Sequence, residues 1–550
     1  MSEFTNDSGS TVLAALEPEP SAIDAALPPA RRRARPQRRL PLTLVIPGIV
    51  VAVASLAPAA YLLLRAGFSF SLLWSELDGP TTLPLIGNTV KLVVIVAVCA
   101  SVLGVGAAVL IARTTLPFPR VWTVLLTLPL GVPTFVGSYA WVAFSYRYFP
   151  ESDLIFGLGG ASAILTLTLF PYVFLPVLTA LRRLDPAQEE AARALGHGPL
   201  CAFVRITLPQ LRPAIATGLL IISLHLLAEY GAVQMLNYET LTTAIVQRYN
   251  ILGMPESARS LAVVLAIGAL LLLVFDRLLR GRGTPIRTGV GTPRPPMRWR
   301  LGLSAPLWIT LCAAVVVAAL AVPLWVTASG IVDHLTGGGD DIDWEQLWQA
   351  FGNTAEWATS AALLATVCAL PVALLAVRYP GTVSGLIERS TWVAHALPGV
   401  IMALSLVYIS VQWFYPLYQT STLLVMGYVV MFLPLAVGAQ QVGIAQASVQ
   451  LDEMSRALGK GPVQTFSRVT LPLSLPAIGT GALLVGLDAG KELTTTLLMR
   501  PTGEHSLATS LWATTDGEVL DFTAASPYGL ALLLIGAVPA ILLARSTVRS

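Results

Sequence analysis

The sequence predicts an all-α polytopic membrane protein with about 12 transmembrane helices, arranged as two parallel, homologous six-helix halves. Three observations predict this fold class: a composition suited to lipid, a series of long apolar runs, and an internal repeat. Of the 550 residues, 55% are hydrophobic and only 12% are charged, whereas soluble domains carry about 25% charged residues. Mean hydropathy is +0.71. Lipid is therefore the expected solvent for most of the surface.

The apolar runs are long enough to span a bilayer, which takes about 20 residues of helix. The clearest run is 42–64, which carries no charge. Eleven more follow at about 92–112, 121–145, 161–181, 214–236, 260–275, 301–329, 357–377, 391–411, 421–437, 477–499 and 526–544. Several are short or contain proline. Their backbone must find partners in neighbouring helices, because lipid offers none.

The basic residues predict the orientation, because Lys and Arg collect in cytoplasmic loops. A cluster of six arginines lies between residues 31 and 39, just before the first run, and most other basic residues fall on the same side of twelve spans. Both termini are therefore expected in the cytoplasm. The segment 1–41 is predicted as a disordered tail carrying this cluster. The loop after the seventh run is acidic and is expected outside.

The chain repeats itself. Gly87-Asn88-Thr89 returns as Gly352-Asn353-Thr354, and Arg113 returns as Arg378, both 265 residues later. The stretch 189–215 matches 452–478 at an offset of 263. Because each half holds an even number of spans, both halves enter the membrane in the same sense, with the transport pathway expected between them. The predicted segments are 42–86 (first span and outer loop), 87–275 (first domain), 276–300 (cytoplasmic linker), 301–351 (seventh span and acidic outer loop) and 352–543 (second domain).

A motif in the cytoplasmic loop of each half is the strongest functional signal. The loops, at about 185–213 and 448–476, read Glu190-Ala191-Ala192, Gly196 and Leu208-Pro209 in the first copy and Glu453-Met454-Ser455, Gly459 and Leu471-Pro472 in the second. Asp185-Pro186 is a good helix start, Gly196 suits a left-handed helix end, and Pro199 can begin a second helix. Such an element is either a plain capped loop or a docking surface. Two copies with identical spacing favour docking.

These loops resemble the EAA loop of binding-protein-dependent ABC importer permeases. The resemblance implies that each loop docks one of two copies of an ABC ATPase subunit on the cytoplasmic side of a bacterial inner membrane. It also implies an extracytoplasmic solute-binding protein. The second copy departs from the motif at Met454 and Ser455, where alanine is usual. The implied coupling residues are Glu189, Glu190, Ala191, Ala192, Gly196, Leu208, Pro209, Asp452, Glu453, Gly459, Leu471 and Pro472.

The chain contains no motif for a nucleotide, a metal or catalysis. A phosphate-binding loop needs Gly, four residues, then Gly-Lys-Ser/Thr, and the nearest approach, Gly490-Lys491, is followed by Glu492. The four cysteines and five histidines are scattered. The chain is therefore expected to bind no cofactor and to be no enzyme, with ATP and Mg used by the partner ATPase. Membrane lipid is an expected partner, and nucleic acid is not.

Four ionisable residues inside predicted spans are candidate pathway residues, because charge at membrane depth is costly. Glu229 and Glu492 are matched by the repeat, and Asp488 and Lys491 lie beside the second. A symmetric pair of carboxylates could line the path of a cationic cargo or steady a gate. Alternatively, each side chain reaches the outer interface or pairs locally, as Asp488 could with Lys491.

The expected cargo is ferric iron. The stretch 491–501, which begins Lys-Glu-Leu and ends Arg-Pro, and the stretch 229–232 are similar to segments of the ferric-iron branch of these permeases. The same architecture could carry thiamine, a polyamine or a phosphonate. An alternative of another class is an ion-coupled secondary transporter, which would share the twelve spans but would give no reason for paired docking loops.

Overall fold

The structure, a computed structural model, describes residues 40–65, 80–184, 187–250, 255–280, 298–336, 342–395, 397–447, 449–515 and 522–549. Four predicted features lie wholly or partly outside these residues: 1–39 of the tail, 281–297 of the linker, the pair Asp185-Pro186, and Asp340 and Asp341 of the acidic loop. The described chain is helical, apart from turns and one isolated bridge between Thr114 and Trp299. The predicted all-α class is confirmed.

Ten described helices are long and apolar enough to cross a membrane, and two bent helix pairs bring the number to twelve. We number these spans 1 to 12. Spans 1 to 6 are Leu42–Leu62, Thr82–Arg113, the pair Pro119–Gly131 and Thr134–Tyr148, Gly157–Arg182, Phe203–Ala228 and Glu256–Val274. Spans 7 to 12 are Gly302–Leu335, Trp344–Arg378, the pair Thr382–His395 and Gly399–Trp413, Ser421–Gln446, Pro462–Gly490 and Phe522–Arg545. Shorter helices between them are Ala187–Ala194, Pro199–Ala202, Gly231–Met235, Leu241–Asn250, Val449–Ala457, Thr494–Met499 and Leu507–Thr515.

Spans 3 and 9 bend at matching prolines. The two helices of span 3 meet at 93° and those of span 9 at 104°. Pro133 and Pro398 immediately precede the second helix in each case. A residue before proline is disfavoured in helical conformation, and Val132 is accordingly extended. The second helix of each pair therefore begins anew after the proline; we call these helices, Thr134–Tyr148 and Gly399–Trp413, the outer helices of spans 3 and 9.

The predicted runs 214–236 and 477–499 are not continuous helices, which corrects the sequence interpretation. Span 5 ends at Ala228 and span 11 at Gly490, and short helices resume at Gly231 and Thr494. Hydropathy cannot detect these breaks because the flanking residues remain apolar. Each break contains the candidate glutamate, which caps the short helix that follows.

Two packed triads form the core of the protein: spans 2, 4 and 5 in the first half, and spans 8, 10 and 11 in the second. Span 1 packs on spans 8 and 9 of the second half, whereas span 7 packs on span 3 of the first half and on span 12 of its own half. The first helix of each half therefore contacts the other half. The larger apolar cluster runs continuously across both halves. We call the membrane side that carries Ala187–Ala194 and Val449–Ala457 the loop side, and the opposite side the far side.

One backbone crossing between the halves requires glycine on both sides. A Cβ atom built on Gly536 of span 12 would overlap the backbone oxygen of Gly131, and one built on Gly131 would overlap Gly536. Small residues let helices approach this closely within a membrane. The crossing lies next to the bend of span 3 and so holds that bend against the other half.

Candidate functional site: the repeated loops and the broken spans

The loop of the first half is tied to the membrane bundle by a buried ion pair. Glu189, on the helix Ala187–Ala194, lies 3.5 Å from the guanidinium Nη1 of Arg113 at the end of span 2, with side chains 7% and 2% exposed. The hydroxyl of Thr207, at the start of span 5, donates to the same carboxylate oxygen at 3.0 Å. Because the pair is buried, removing either residue would leave the other charge without compensation away from water. The loop helix, span 2 and span 5 therefore meet at one carboxylate.

The loop of the second half repeats this arrangement. Asp452 lies 3.1 Å from Nη2 of Arg378 at the end of span 8. Thr470 donates its hydroxyl to the other oxygen of Asp452 at 2.9 Å. Arg378 also donates to the backbone oxygen of Ala447 at 2.8 Å. The contact explains the recurrence of Arg113 as Arg378, to which sequence reasoning assigned no role.

The helix in each loop ends as the motif predicts. Gly196 and Gly459 adopt φ of 91° and 77°, the left-handed conformation that favours glycine. The amide of His197 donates to the oxygen of Ala192 and that of Gly196 to Arg193, and the second loop repeats both bonds. This double closure is the Schellman motif, which satisfies carbonyls at the helix end. The turn is therefore fixed in both copies.

The outer surface of each loop is apolar as well as charged. Glu190, Ala191 and Glu453 are exposed, while Ala192 is buried against the bundle. Leu195 and Leu458, at matching positions, are 82% and 79% exposed. Apolar side chains presented together with charges beyond the membrane mark a surface suited to contact with another protein.

Leu208-Pro209 and Leu471-Pro472 follow a single wide turn of π-helix, at Phe203–Thr207 and Phe466–Thr470. Proline lacks an amide hydrogen, and its ring crowds the carbonyl four residues earlier, which lies within the wide turn. The motif prolines therefore mark where each loop joins span 5 or span 11.

Glu229 is held on three sides at the break of span 5. Thr134, the first residue of the outer helix of span 3, donates its hydroxyl to Oε2 at 2.6 Å. The amide of Ala232 donates to Oε1 at 2.9 Å, and Nε2 of His225 lies 3.3 Å from Oε2. The carboxylate is buried, so these contacts compensate for its lost hydration. Glu229 therefore lies just beyond the end of span 5, and not within a continuous helix as the predicted run 214–236 implied; its carboxylate caps the short helix Gly231–Met235.

Glu492 is the matching residue at the break of span 11, but its surroundings differ. The amide of Thr495 donates to its Oε1 at 2.9 Å, as Ala232 does for the first glutamate. The position that matches Thr134 is Gly399, which has no hydroxyl, and a Cβ atom there would lie 3.2 Å from Oε1 of Glu492. Each carboxylate thus accepts the backbone amide three residues later, but the side chains that surround the two carboxylates differ.

Asp488 and Lys491 form the local pair that was one of the two sequence alternatives. Their Oδ1 and Nζ atoms lie 2.8 Å apart, one helical turn from each other. The pair cancels its own charge within the membrane. This contact confirms local pairing for these two residues.

The two breaks meet at the interface between the halves. A Cβ atom on Gly231 would lie 2.6 Å from Cδ2 of Leu493. The rings of Tyr230 and Trp512 lie 5.3 Å apart across the same boundary. The carboxylates are therefore positioned on either side of the place where one half contacts the other.

The repeated Gly-Asn-Thr segments anchor these breaks on the far side. Asn88 donates to the backbone oxygen of Glu239, and Thr89 accepts the amide of Leu241. Asn353 and Thr354 make the same two bonds to His505 and Leu507. Sequence reasoning found this repeat but missed its role, because the bonded partners lie about 150 residues away.

Within the described residues, no group of three or more His, Cys, Asp and Glu side chains could hold a metal ion. The charged and polar groups that are shared by both halves lie instead at the loops and at the breaks.

The family model for binding-protein-dependent transport system inner membrane components matches residues 100–281 and again 365–548. The chain belongs to this family. It is 33% identical to the Fe(3+)-transport system permease protein FbpB 2 of Haemophilus influenzae over 92% of this chain and 98% of the relative. It is 24% identical to the ferric transport system permease protein FbpB of Actinobacillus pleuropneumoniae over 82% of this chain and 69% of the relative. The sulfate permease CysW of a Synechocystis strain matches 35% of the chain at 29% identity.

Membership in this family makes the chain a multi-pass membrane permease of an ABC importer, and two matched regions mean two fused permease domains. Permeases of this family act with an ATPase and a solute-binding protein. The resemblance drawn from the EAA loops is confirmed, and the family does not support the ion-coupled alternative.

Proposed function

We propose that this chain is the permease of an ATP-driven importer of ferric iron, delivered by an external solute-binding protein. One observation supports the mechanism above all others: both halves tie an exposed loop to the bundle through the same buried arginine–carboxylate–threonine cluster. Two relatives that match most of the chain are described as ferric or Fe(3+) permeases. Relatives described for sulfate match only a minor part of it, and thiamine, polyamines and phosphonates have no such support.

Two copies of an ABC ATPase would dock on the two loops, one on each. The exposed Leu195 and Leu458, beside Glu190 and Glu453, form one contact surface per half. ATP and Mg would be bound by those subunits and not by this chain. The loop side is then the cytoplasmic side of a bacterial inner membrane, with both termini on it.

The clusters would carry movement from the ATPase into the membrane. A push on the loop helix moves Glu189, and through Arg113 and Thr207 it moves the ends of spans 2 and 5 together. Span 5 is one helical span that ends at Ala228, the residue immediately before Glu229. Displacement at the loop is therefore transmitted to the break at the centre of the bundle.

Glu229 and Glu492 would line the path of the cation, because they are acidic and flank the contact between the halves. Asp488 and Lys491 would support the second break as a neutral pair. A ferric ion leaving its binding protein loses oxygen ligands, and carboxylates are suitable replacements.

The cargo is tested by reconstituting the permease with its ATPase and binding protein in liposomes and measuring uptake of ferric iron. We expect uptake to require ATP and to be lost when Glu229→Gln and Glu492→Gln are combined, with normal membrane abundance. Uptake of thiamine in place of iron would overturn the assignment. Unchanged iron uptake by the double variant would remove both glutamates from the pathway.

Docking is tested by co-purification. Leu195→Asp together with Leu458→Asp should release the ATPase, because a charge replaces an apolar contact on both surfaces. Leu154→Asp is the matched control, since Leu154 is 87% exposed on the far side. Retention of two ATPase copies by the loop variant would contradict the docking proposal.

A further inference from the structure

Each half forms a cleft with the other half on the far side. In one cleft the outer helix of span 3 faces the start of span 12. In the other the outer helix of span 9 faces the start of span 6. The repeat relates these two pairs of elements, and Leu404 on span 9 stands at the position of Tyr139 on span 3. The clefts are therefore comparable sites with different side chains.

The cleft at span 9 is filled. Tyr61 of span 1 stacks on Tyr408 with ring centroids 6.4 Å apart, and the guanidinium of Arg259 lies over the Tyr408 ring at 5.4 Å. Only about 10 Å³ remains between them. A positive charge is already held against the aromatic face, so a second cation would be repelled.

The cleft at span 3 is open. It offers about 190 Å³ of open space on the far side. Its lining combines hydroxyl and amide groups with aromatic faces, from Tyr139, Tyr146, Gln234, Asn237, Trp512 and Phe522. Among the described residues that line it, none is charged. Between the described residues, the cleft at span 9 has no comparable space, so the two related clefts are unequal.

The open cleft shares two helices with the contacts around Glu229. Gln234 belongs to the short helix capped by Glu229, and Tyr139 lies on the same helix as Thr134, which bonds that glutamate. The hydroxyl of Tyr139 is fixed by donating to the backbone oxygen of Phe522 at 2.6 Å. The wall of the cleft is thus rigid on the side that faces span 12.

We propose that this cleft, which we call the far-side vestibule, receives the cargo cation while the ion still carries a shell of oxygen ligands. Neutral oxygens and aromatic faces attract positive charge but cannot replace the anionic ligands of a bare trivalent ion. The space is large enough for several water molecules, since one water needs about 10–15 Å³ of such space. The ion then exchanges this shell for Glu229 and Glu492 deeper in the bundle. This inference rests on the proposed iron transport.

A charge series at Gln234 tests the vestibule. In the reconstituted complex, iron transported per ATP hydrolysed should be about tenfold lower in Gln234→Lys than in Gln234→Glu, because the side chain faces the ion across a partly dry cavity. Gln412 is the matched control, because it is exposed on the far-side end of span 9. Its Lys and Glu variants should stay within about twofold of each other, as expected of a screened surface charge.

Binding is measured separately with Tb³⁺, a trivalent cation that prefers oxygen ligands, through emission sensitised by tryptophan. We expect Gln234→Lys to reduce the emission and Gln412→Lys to leave it unchanged. Equal iron-to-ATP ratios for the two Gln234 variants, or full emission from Gln234→Lys, would overturn the vestibule while leaving iron transport intact. If the unaltered permease moved no iron, the proposed function itself would fail.

Discussion

The two sides of this protein differ in how closely its halves resemble each other. On the loop side, Arg113 and Arg378 hold Glu189 and Asp452 in the same way. Towards the far side, Thr134 bonds Glu229 while the matching Gly399 offers no hydroxyl. One cleft there is open and the other is filled. Symmetry is thus retained at the loops, at the Gly-Asn-Thr segments and in the backbone bonds of the two glutamates, whereas it is lost in the other side chains around the glutamates and in the clefts.

The difference follows from what each side would contact. Under the proposed function, two identical ATPase subunits would require two equivalent surfaces, which would hold the halves to one geometry at the loops. A single cargo ion would need only one route, and nothing would require the two halves to supply it equally. Four sets of substitutions can break or sharpen this comparison.

The largest effect is expected from Arg113→Ala or Arg378→Ala. Each leaves a buried carboxylate without its cation, which costs about 3–5 kcal/mol of folding free energy. Because the loops are equivalent, the two variants should lower the unfolding temperature in detergent by similar amounts. Arg205→Ala, at an exposed arginine of the same loop, is the control. A large loss in only one half would contradict the loop symmetry.

A smaller effect, up to about 3 kcal/mol, is expected from Gly536→Ala, because the added methyl group overlaps the backbone of Gly131. Gly106→Ala is the matched control, since a Cβ atom there meets nothing within 4 Å. Thermal unfolding of both variants in detergent measures the difference. Equal stability would show that the crossing between the halves yields easily.

Thr134→Val tests the asymmetry at the breaks. It removes the hydroxyl bond to Glu229 and should cost about 2 kcal/mol, as expected for a bond to a carboxylate. In the control Thr166→Val, the lost hydroxyl is buried and makes no hydrogen bond within the described chain. Chemical denaturation measures both. If Thr134→Val is as stable as its control, the two glutamates are not distinguished by this contact.

The smallest effect on stability is expected from Gly196→Ala and Gly459→Ala, about 1 kcal/mol each, because alanine is strained at positive φ. Space is not limiting, since a Cβ atom meets nothing within 4 Å at either residue. Gly198→Ala is the control in the same loop, again with open space. Co-purification of the ATPase should weaken as the stability of the loop falls. Replacing Gly196 and Gly459 together by residues bulkier than alanine should stop uptake. Undiminished uptake would contradict the role of the loops.

The sequence predicted the twelve spans, the two halves and the docking loops because each depends on a local pattern. Apolar runs identify the spans, basic residues indicate their orientation, and glycine at the loop end requires a left-handed turn. The same offset of 265 residues that relates Arg113 to Arg378 also relates the Gly-Asn-Thr segments. The sequence showed that these residues are repeated, but it did not show which residues they contact.

Only the tertiary structure decided what those repeated residues do. The partners of Arg113, Thr89 and Thr134 lie between 76 and 152 residues away in the chain, as the contacts with Glu189, Leu241 and Glu229 show. Hydropathy also treated the breaks at Glu229 and Glu492 as continuous helix, because a capping carboxylate is defined by bonds and not by composition. The open and filled clefts depend on packing between halves. The sequence alone therefore determined where the chain crosses the membrane, while contacts between distant segments decided where the halves become unequal.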